Sequence, residues 1–346
     1  MSDQGERHPT VHAIASVADH MISQRFQLAS KRHLKRALKA RKLRPDLLFW
    51  DVGSLAWGIA NYCRSMPGHP GEFRSFERLH RRPRALTAVD HAVYFYGMYD
   101  QLTEKQRFAA VHSLKSMPRD AAGSVLYRPQ HRAAYLDTIG MITPLLARHG
   151  STYQDAESIS LMRNQFEAFT ENGYDGASGL PYHGYDLASG QKQGIIGWGR
   201  GVGWLLVGLA ESLIWLAPGS REFEQAAEAF RSLAEVVVGF QSAQGAFAWQ
   251  LQCVDGPIDT SAMSMIGFAV MRFSRATGNT DFEPALQALQ LRLEAEISES
   301  GTVGNSSAEC MGFAMYPQKF ESNAWGQAYS LLFLTERASP KNPCWM

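Results

Sequence analysis

Two kinds of helical segment alternate along this chain, and that alternation limits its architecture more than any other feature. The first kind is amphipathic. In REFEQAAEAFRSLAEVVVGFQ, the residues Phe223, Ala226, Ala227, Phe230, Leu233, Ala234 and Val237 recur at spacings of three and four, with charges on the other face. Such a helix keeps one side in water. VHAIASVADHMISQRFQLASKRHL, GEFRSFERLH, TEKQRFAAVHSLKSM, AESISLMRNQFEAFTE and DFEPALQALQLRLEAEI follow the same pattern. The second kind is apolar nearly all round and carries small residues: WDVGSLAWGIANY, VDHAVYFYGMYDQL, LDTIGMITPLLARHG, WGRGVGWLLVGLAESL, DTSAMSMIGFAVMRF and NAWGQAYSLLFLTE. A helix without a polar face must be covered on all sides.

The chain therefore reads as six outer helices alternating with six inner ones. The inner segments begin near Asp51, Asp90, Asp137, Arg200, Asp259 and Asn323, at intervals of 39, 47, 63, 59 and 64 residues. Unequal intervals point to a structural period with variable loops and not to a solenoid of fixed repeat. Six outer–inner hairpins close into an (α/α)6 barrel, an all-α fold. The alternative, an open array of hairpins, leaves its inner helices partly exposed. A hydrophobic fraction of 45% and a charged fraction of 19% supply enough apolar surface for one large core. The expected organisation is one barrel over residues 1–346, with 1–8 and 338–346 as peripheral ends.

Several function classes fall away. Net charge is +1, so there is no bulk drive toward nucleic acid or an anionic membrane. The basic run from Lys31 to Arg44 reads as a solvated helix face. Cys63, Cys253, Cys310 and Cys344 show no CxxC spacing and no disulfide framework. The first residues, MSDQGERHPT, lack the apolar centre of a signal peptide. The longest apolar stretch, GIIGWGRGVGWLLVGLA, is broken by Arg200 and by glycines, which argues against a membrane span. A cytoplasmic location is expected. The glycines of GRGVG follow no strand, so a dinucleotide loop is not indicated. HExxH, GxSxG and Walker A patterns are missing from the sequence, and neither a metal nor a cofactor is expected.

Polar residues gather where the inner helices begin. Parallel inner helices bring those six starts to one rim. Asp, Asn and Thr there cap free backbone N–H groups, and six helix N-termini together suit an anion. The same rim also collects groups able to do chemistry. Asp90 and Asp137 facing each other would repel as anions, so that one holds its proton toward neutral pH and can give and take it. Glycoside chemistry commonly uses such a pair. His183, next to Tyr182 in LPYHGYD, sits in a stretch rich in turn formers. Trp198 and Trp204 flank Arg200 in WGRGVGW. Flat rings stack on sugars and a guanidinium pairs with a carboxylate, although both Trp also suit a core and Arg200 an internal acid.

In order along the chain, VDHAVYFYGMYDQLTEKQRF, YLDTIGMITPLLARHG, LPYHGYD, WGRGVGW, FAWQ with DTSAMSMIGFAV, and WGQAYSLLFL resemble segments of glycoside hydrolase families 88 and 105, the unsaturated glucuronyl and rhamnogalacturonyl hydrolases, closest to family 105. The likeness runs from about Leu47 to Glu336. It implies an enzyme acting on lyase-derived oligosaccharides whose nonreducing end is an unsaturated uronic acid. The C4–C5 double bond is hydrated, and the resulting hemiketal collapses to release the neighbouring sugar. By the same resemblance, Asp137 matches the general acid/base, which begins protonated with Asp90, the second essential carboxyl, beside it. His183, Trp198, Arg200 and Trp204 match substrate-binding residues, and Tyr182 and Arg128 are expected to bind substrate with them. Arg200 and helix N-termini are expected to hold the uronate carboxylate.

Two departures bear on the substrate. Val202 stands where the families' Arg-Gly-Asn-Gly segment has Asn. Tyr127-Arg128 stands where they often have His-Lys. Both read as altering substrate detail. Three other readings stay open on sequence: an inverting glycosidase with its carboxyls roughly 6.5–9.5 Å apart, an epimerase using His183 with His91 or His131, and a sugar-binding barrel without turnover.

Overall fold

The computed structural model describes residues 10–23, 48–66 and 85–339. The segment GEFRSFERLH, the basic run Lys31–Arg44, Cys344 and nearly all of the two expected peripheral ends lie outside the described residues. The helices are α1 (residues 10–23), α2 (Trp50–Ser65), α3 (Ala92–Gly97, entered through a 3-10 turn at Val89–His91), α4 (Glu104–Lys115), α5 (Leu136–Tyr153) and α6 (Ala156–Asn172). They continue as α7 (Gly199–Leu213), α8 (Arg221–Val238), α9 (Thr260–Thr277), α10 (Glu283–Glu294) and α11 (Ala324–Ala338).

The inner set is α2, α3, α5, α7, α9 and α11. Each packs against the next, and α11 returns to α2, so the ring closes. Closure excludes the open array and gives the expected (α/α)6 barrel. Sequence explains both helix types. Every residue of α7 is buried, as a helix without a polar face requires. On α8 only the stripe Phe223, Ala226, Ala227, Phe230, Leu233, Ala234 and Val237 is buried, and the Ser220 side chain caps its start by accepting from the Phe223 amide. Thr103 and Gln106 form a reciprocal capping box on α4, with the N-cap contributing ~1 kcal/mol. The second inner segment is shorter than its apolar run: α3 ends at Gly97, where the backbone presses against Trp57.

Close packing fixes the spacing of α5 and α7. A β-carbon on Gly140 would lie 2.4 Å from the Trp204 carbonyl oxygen, and one on Gly208 would lie 2.9 Å from Ile139. These two helices carry Asp137 and Arg200 in their first turns, so their approach sets where those side chains meet.

Strands occupy the connections. β1 (Ala133–Tyr135), β2 (Tyr182–Asp186) and β3 (Lys192–Ile196) form an antiparallel sheet in that order, with Tyr135 opposite Gly184 and an irregularity between Tyr182 and Gly184. LPYHGYD, whose turn-forming neighbours pointed to a loop, is thus mostly strand. Its flanking glycines Gly179 and Gly190 take positive φ in the turns on either side, while Gly184, Tyr185 and Asp186 pair with β1 and Tyr182 with β3. β4 (Ser306–Ser307) pairs with β5 (Phe320–Glu321).

The opposite end of the ring is tied by ions. Arg272 on α9 bonds Glu211 on α7 at 2.5 Å and pairs with Glu336 on α11 at 3.5 Å, and Arg275 meets Glu336 at 3.0 Å. Tyr96 on α3 donates its hydroxyl to the same Glu211. Among the described residues no helix is long and apolar enough to cross a membrane.

Candidate active site

The inner helix starts meet at one rim, around a cavity with two carboxyls, an imidazole, two guanidiniums and several aromatic rings in its wall. Trp50 comes from the start of α2, Asp137 and Met141 from α5, and Arg200 and Trp204 from α7. Tyr127, Arg128 and Tyr135 precede α5, His183 comes from β2, and Glu309, Cys310 and Gly312 come from the loop after β4.

Asp137 owes its position to β1. This short strand runs straight into α5, so pairing Tyr135 with Gly184 sets the first turn of α5 beside β2. His183 Nε2 then lies 2.8 Å from Asp137 Oδ2. Its other nitrogen, Nδ1, lies 2.6 Å from the Tyr316 hydroxyl. Both side chains are buried, and the imidazole is walled by Trp198, Phe313, Tyr135 and Tyr316, with ring centres 4.7, 5.1, 5.5 and 5.6 Å away.

Asp90 lies in the 3-10 turn before α3 and is reached through Tyr127. The Tyr127 hydroxyl donates to Asp90 Oδ1 at 2.5 Å, and the Tyr127 ring packs edge-on to Tyr135 at 5.5 Å. Burial pushes the Asp90 carboxyl up to about 6; the Tyr127 bond, Arg128 and His91 oppose the rise and Glu309 adds to it. A carboxyl that holds its proton toward neutral pH was expected from repulsion between Asp90 and Asp137. The structure supplies one at Asp90, and burial is the chief cause. Burial also raises the Tyr127 hydroxyl, helped by the charge of Asp90. Arg128 lies half-buried over the Tyr127 ring, 5.1 Å from its centre.

Arg200 departs from its expected role. Its Nη1 donates to the Ser307 carbonyl at 2.8 Å and to Ser307 Oγ at 2.6 Å, and its Nη2 donates to the Ala308 carbonyl at 2.8 Å. Ser307 Oγ in turn donates to Asp259 Oδ2 at 2.6 Å. The guanidinium is 1% exposed and sits between the Trp198 and Trp325 rings. It lines the cavity, yet these donors tie β4 to α7 and α9 and do not point toward an incoming carboxylate. Asp259 caps α9 by accepting from the Ser261 amide, whereas Asn323, at the start of α11, makes no side-chain cap and donates to the Ser306 carbonyl.

The remaining candidates divide. Trp198 lies against His183, and its buried indole N–H has no hydrogen-bond partner among the described residues. Trp204 packs edge-on between Trp50 and Tyr329 at 5.9 and 5.7 Å, with one edge on the cavity and the rest in the core. Tyr182, at the start of β2, stands outside the cavity wall. His91 accepts from the Thr87 amide at 3.3 Å and His131 meets the Tyr135 hydroxyl at 2.7 Å; neither lines the cavity, so the paired histidines an epimerase would use are not assembled there among the described residues.

Sequence reasoning missed Trp50, Tyr135 and the loop carrying Glu309, Cys310, Phe313 and Tyr316. The available signals were the aromatic two places before Asp137 and the 64-residue interval ahead of Asn323, the longest of the five, which holds tyrosine and phenylalanine without helical period. Burial pushes the Cys310 thiol up to about 12, and the charge of Asp137 adds to the rise.

Comparisons with known proteins agree with the barrel fold. A crystal structure of a possible member of glycoside hydrolase family 105 from Salmonella enterica serovar Paratyphi A superposes with a TM-score of 0.78 at 16% identity, covering 97% of this chain and 96% of that one. A family 105 glycoside hydrolase from C. acetobutylicum gives 0.74 at 17% identity, over 89% and 99% of the two chains. The unsaturated glucuronyl hydrolase responsible for glycosaminoglycan degradation in Bacillus sp. GL1 gives 0.70 at 18% identity, over 95% and 97%. At such identities the likeness is one of fold. Phosphatidylinositol 5-phosphate 4-kinase type-2 gamma from Pongo abelii is 33% identical over 99 residues, 28% of this chain and 24% of that kinase. So short a stretch of a longer protein says nothing about the barrel. The family model described as Glycosyl Hydrolase Family 88 matches residues 79–340, which hold Asp90, Asp137, His183 and Arg200 together. The chain is a glycoside hydrolase and belongs to Glycosyl Hydrolase Family 88.

Proposed function

We propose that this protein hydrates the C4–C5 double bond of an unsaturated uronic acid at the nonreducing end of a lyase-derived oligosaccharide, and so releases the neighbouring sugar. Asp137 gives its proton to C4. Water then adds at C5 and returns a proton to the Asp137 carboxylate. The hemiketal formed at C5 opens, and the linkage at C1 collapses with loss of the aglycone.

One observation carries this reading: Asp137 opens a helix at the rim, with Oδ2 taken by His183 and Oδ1 making no hydrogen bond to the described residues. A carboxyl held on one oxygen and open on the other can pass a single proton out and take one back. The rest of the cavity suits an unsaturated uronate. Tyr135, Trp50 and Trp198 offer flat faces for a half-planar ring, and the Trp198 N–H needs an acceptor that a sugar oxygen supplies. We read Arg128 as the cation that meets the uronate carboxylate, because the hydrogen bonds of Arg200 go to β4 and the residue after it. Asp90, with Tyr127 on its other oxygen, is read as a partner for ring hydroxyls.

The neighbour from Bacillus sp. GL1, an unsaturated glucuronyl hydrolase, supports this choice of substrate class. The reading includes one catalytic domain over residues 1–346 and a cytoplasmic site of action. The test is a matched pair of disaccharides that differ only in the double bond. The unsaturated member should release its aglycone and the saturated member should not. Equal release from both would identify attack at the anomeric carbon and overturn the proposal.

A further inference from the structure

Tyr316 stands behind His183, on the side away from Asp137. Its hydroxyl oxygen is 2.6 Å from Nδ1, while Nε2 is 2.8 Å from Asp137 Oδ2. The Ile195 backbone amide also bonds to this hydroxyl. An amide N–H only donates, so it takes one lone pair on the oxygen, and among the described residues His183 Nδ1 is the one acceptor in hydrogen-bond reach for the hydroxyl proton. A neutral imidazole has one donor and one acceptor nitrogen. A hydroxyl proton at Nδ1 therefore puts the ring's own proton on Nε2, facing Asp137.

The seat of this hydroxyl is specific. Gly194 has φ of +78°, and a β-carbon there would lie 2.3 Å from the Tyr316 hydroxyl oxygen and 2.7 Å from His183 Cβ. Gly184 leaves matching room for Phe313, whose Cζ would be 2.7 Å from a β-carbon at that position. The Phe313 ring stacks on Tyr135 with centres 4.2 Å apart and planes at 15°. Two bare positions of the β2–β3 hairpin thus receive two rings of the loop after β4.

We propose that Tyr316 is a positioning residue for Asp137: by bonding His183 Nδ1 it keeps Nε2–H on Asp137 Oδ2, so that the labile proton of Asp137 is carried on Oδ1. The inference rests on the reading of Asp137 as acid and base. With the other tautomer, the Nε2 lone pair would draw the carboxyl proton onto Oδ2, away from the open side. With the Nε2–H tautomer, Oδ2 already has its donor. The carboxylate left after C4 is protonated keeps that same donor, and the proton from water returns to Oδ1. Fixing a partner's tautomer through a hydrogen bond on its far nitrogen is what outer-shell groups do for ligating histidines.

The test is the imidazole nitrogen spectrum of the full chain, labelled with 15N at histidine, together with the kinetics of Tyr316→Phe. In the unmutated protein His183 should be neutral with its proton on Nε2. In Tyr316→Phe the Nδ1–H form should gain population, kcat should fall by about 10- to 100-fold, its pH profile should move, and KM should stay near its original value. Gly194→Ala, which displaces the hydroxyl without removing it, should change the spectrum in the same direction. A proton on Nδ1 in the unmutated protein overturns the proposal, and that result needs no variant. An unchanged tautomer in Tyr316→Phe, or a changed one with unaltered kcat and pH profile, overturns it as well. The spectrum is recorded without substrate, so it stands even if no unsaturated sugar is turned over, a result that would count against the proposed reaction instead.

Discussion

His183 Nε2 and Asp137 Oδ2 lie 2.8 Å apart at the rim of the barrel, both buried, and the hydrogen bond between them leaves the second carboxylate oxygen for chemistry. Asp137→Asn keeps an oxygen that can accept from Nε2–H and removes the transferable proton. The variant should fold with a thermal midpoint close to that of the unmutated protein and lose ~10²–10⁴-fold in turnover, the usual contribution of a general acid–base group. Near-normal turnover would remove Asp137 from the mechanism.

Arg200 should behave as a structural residue first. Its loss orphans the Ala308 carbonyl and removes the link through Ser307 Oγ to Asp259, while the Ser307 carbonyl keeps the Trp325 indole N–H as a donor. Buried acceptors left without a donor cost ~1–3 kcal/mol each. Arg200→Ala should therefore lower the urea midpoint by an amount equivalent to ~1–3 kcal/mol, with Arg200→Lys recovering part of it. A variant of full stability that only binds substrate more weakly would return Arg200 to direct recognition of the uronate.

Asp90 gives stability a pH dependence of defined sign. Burial raises its carboxyl from an ordinary 3.8 to about 6, so the folded state binds more protons than the unfolded chain between those values. Stability contributed by this group is present at low pH, falls as pH rises from about 4 to about 6, and stays lost above that. Asp90→Asn removes the charged form. Its thermal midpoint should exceed that of the unmutated protein at pH 7 to 8 and approach it near pH 4. A constant difference across that range would show that the carboxyl does not titrate in this window.

Packing between α5 and α7 should tolerate no side chain at Gly140. A β-carbon there meets the Trp204 carbonyl oxygen at 2.4 Å and the Trp204 ring at 2.7 Å. Gly140→Val should destabilise by ~1–3 kcal/mol or more and lower activity with it, because these helices hold Asp137 and the Trp198–Arg200 segment. Gly176, where an added β-carbon would meet nothing within 4 Å, supplies the control: Gly176→Ala should leave the denaturation midpoint nearly unchanged. Equal effects of the two substitutions would show that the close approach does not limit the ring.

What the sequence revealed and what it hid have the same physical origin. Helical period and all-round apolarity report burial, so α7 and α8 and the closed ring could be read from residues such as Trp204 and Phe230. Residue type at a helix start reports where polar groups gather, so Asp90, Asp137 and Arg200 were found. Neither reports the direction of a guanidinium. Arg200 looked like a ligand cation because its bonding partners, Ser307 and Ala308, lie more than a hundred residues away and offer two backbone carbonyls and one hydroxyl, which no charge pattern marks. LPYHGYD looked like a loop because the glycines that make its turns hide the strand between them. Tyr316 and Phe313 were invisible for a related reason: the positions that admit them, Gly194 and Gly184, are defined by missing side chains.

The central claim is that a carbon–carbon double bond is the group consumed. Unsaturated uronides absorb in the near ultraviolet through that bond, and hydration abolishes the absorbance. Lyase-generated di- and oligosaccharides spanning several uronic acids and linkages should be incubated with the protein and followed by absorbance and by the sugar released. The account predicts that at least one member loses its absorbance in step with release of the neighbouring sugar, and that Asp137→Asn abolishes both. Release of sugar with the absorbance intact would contradict it.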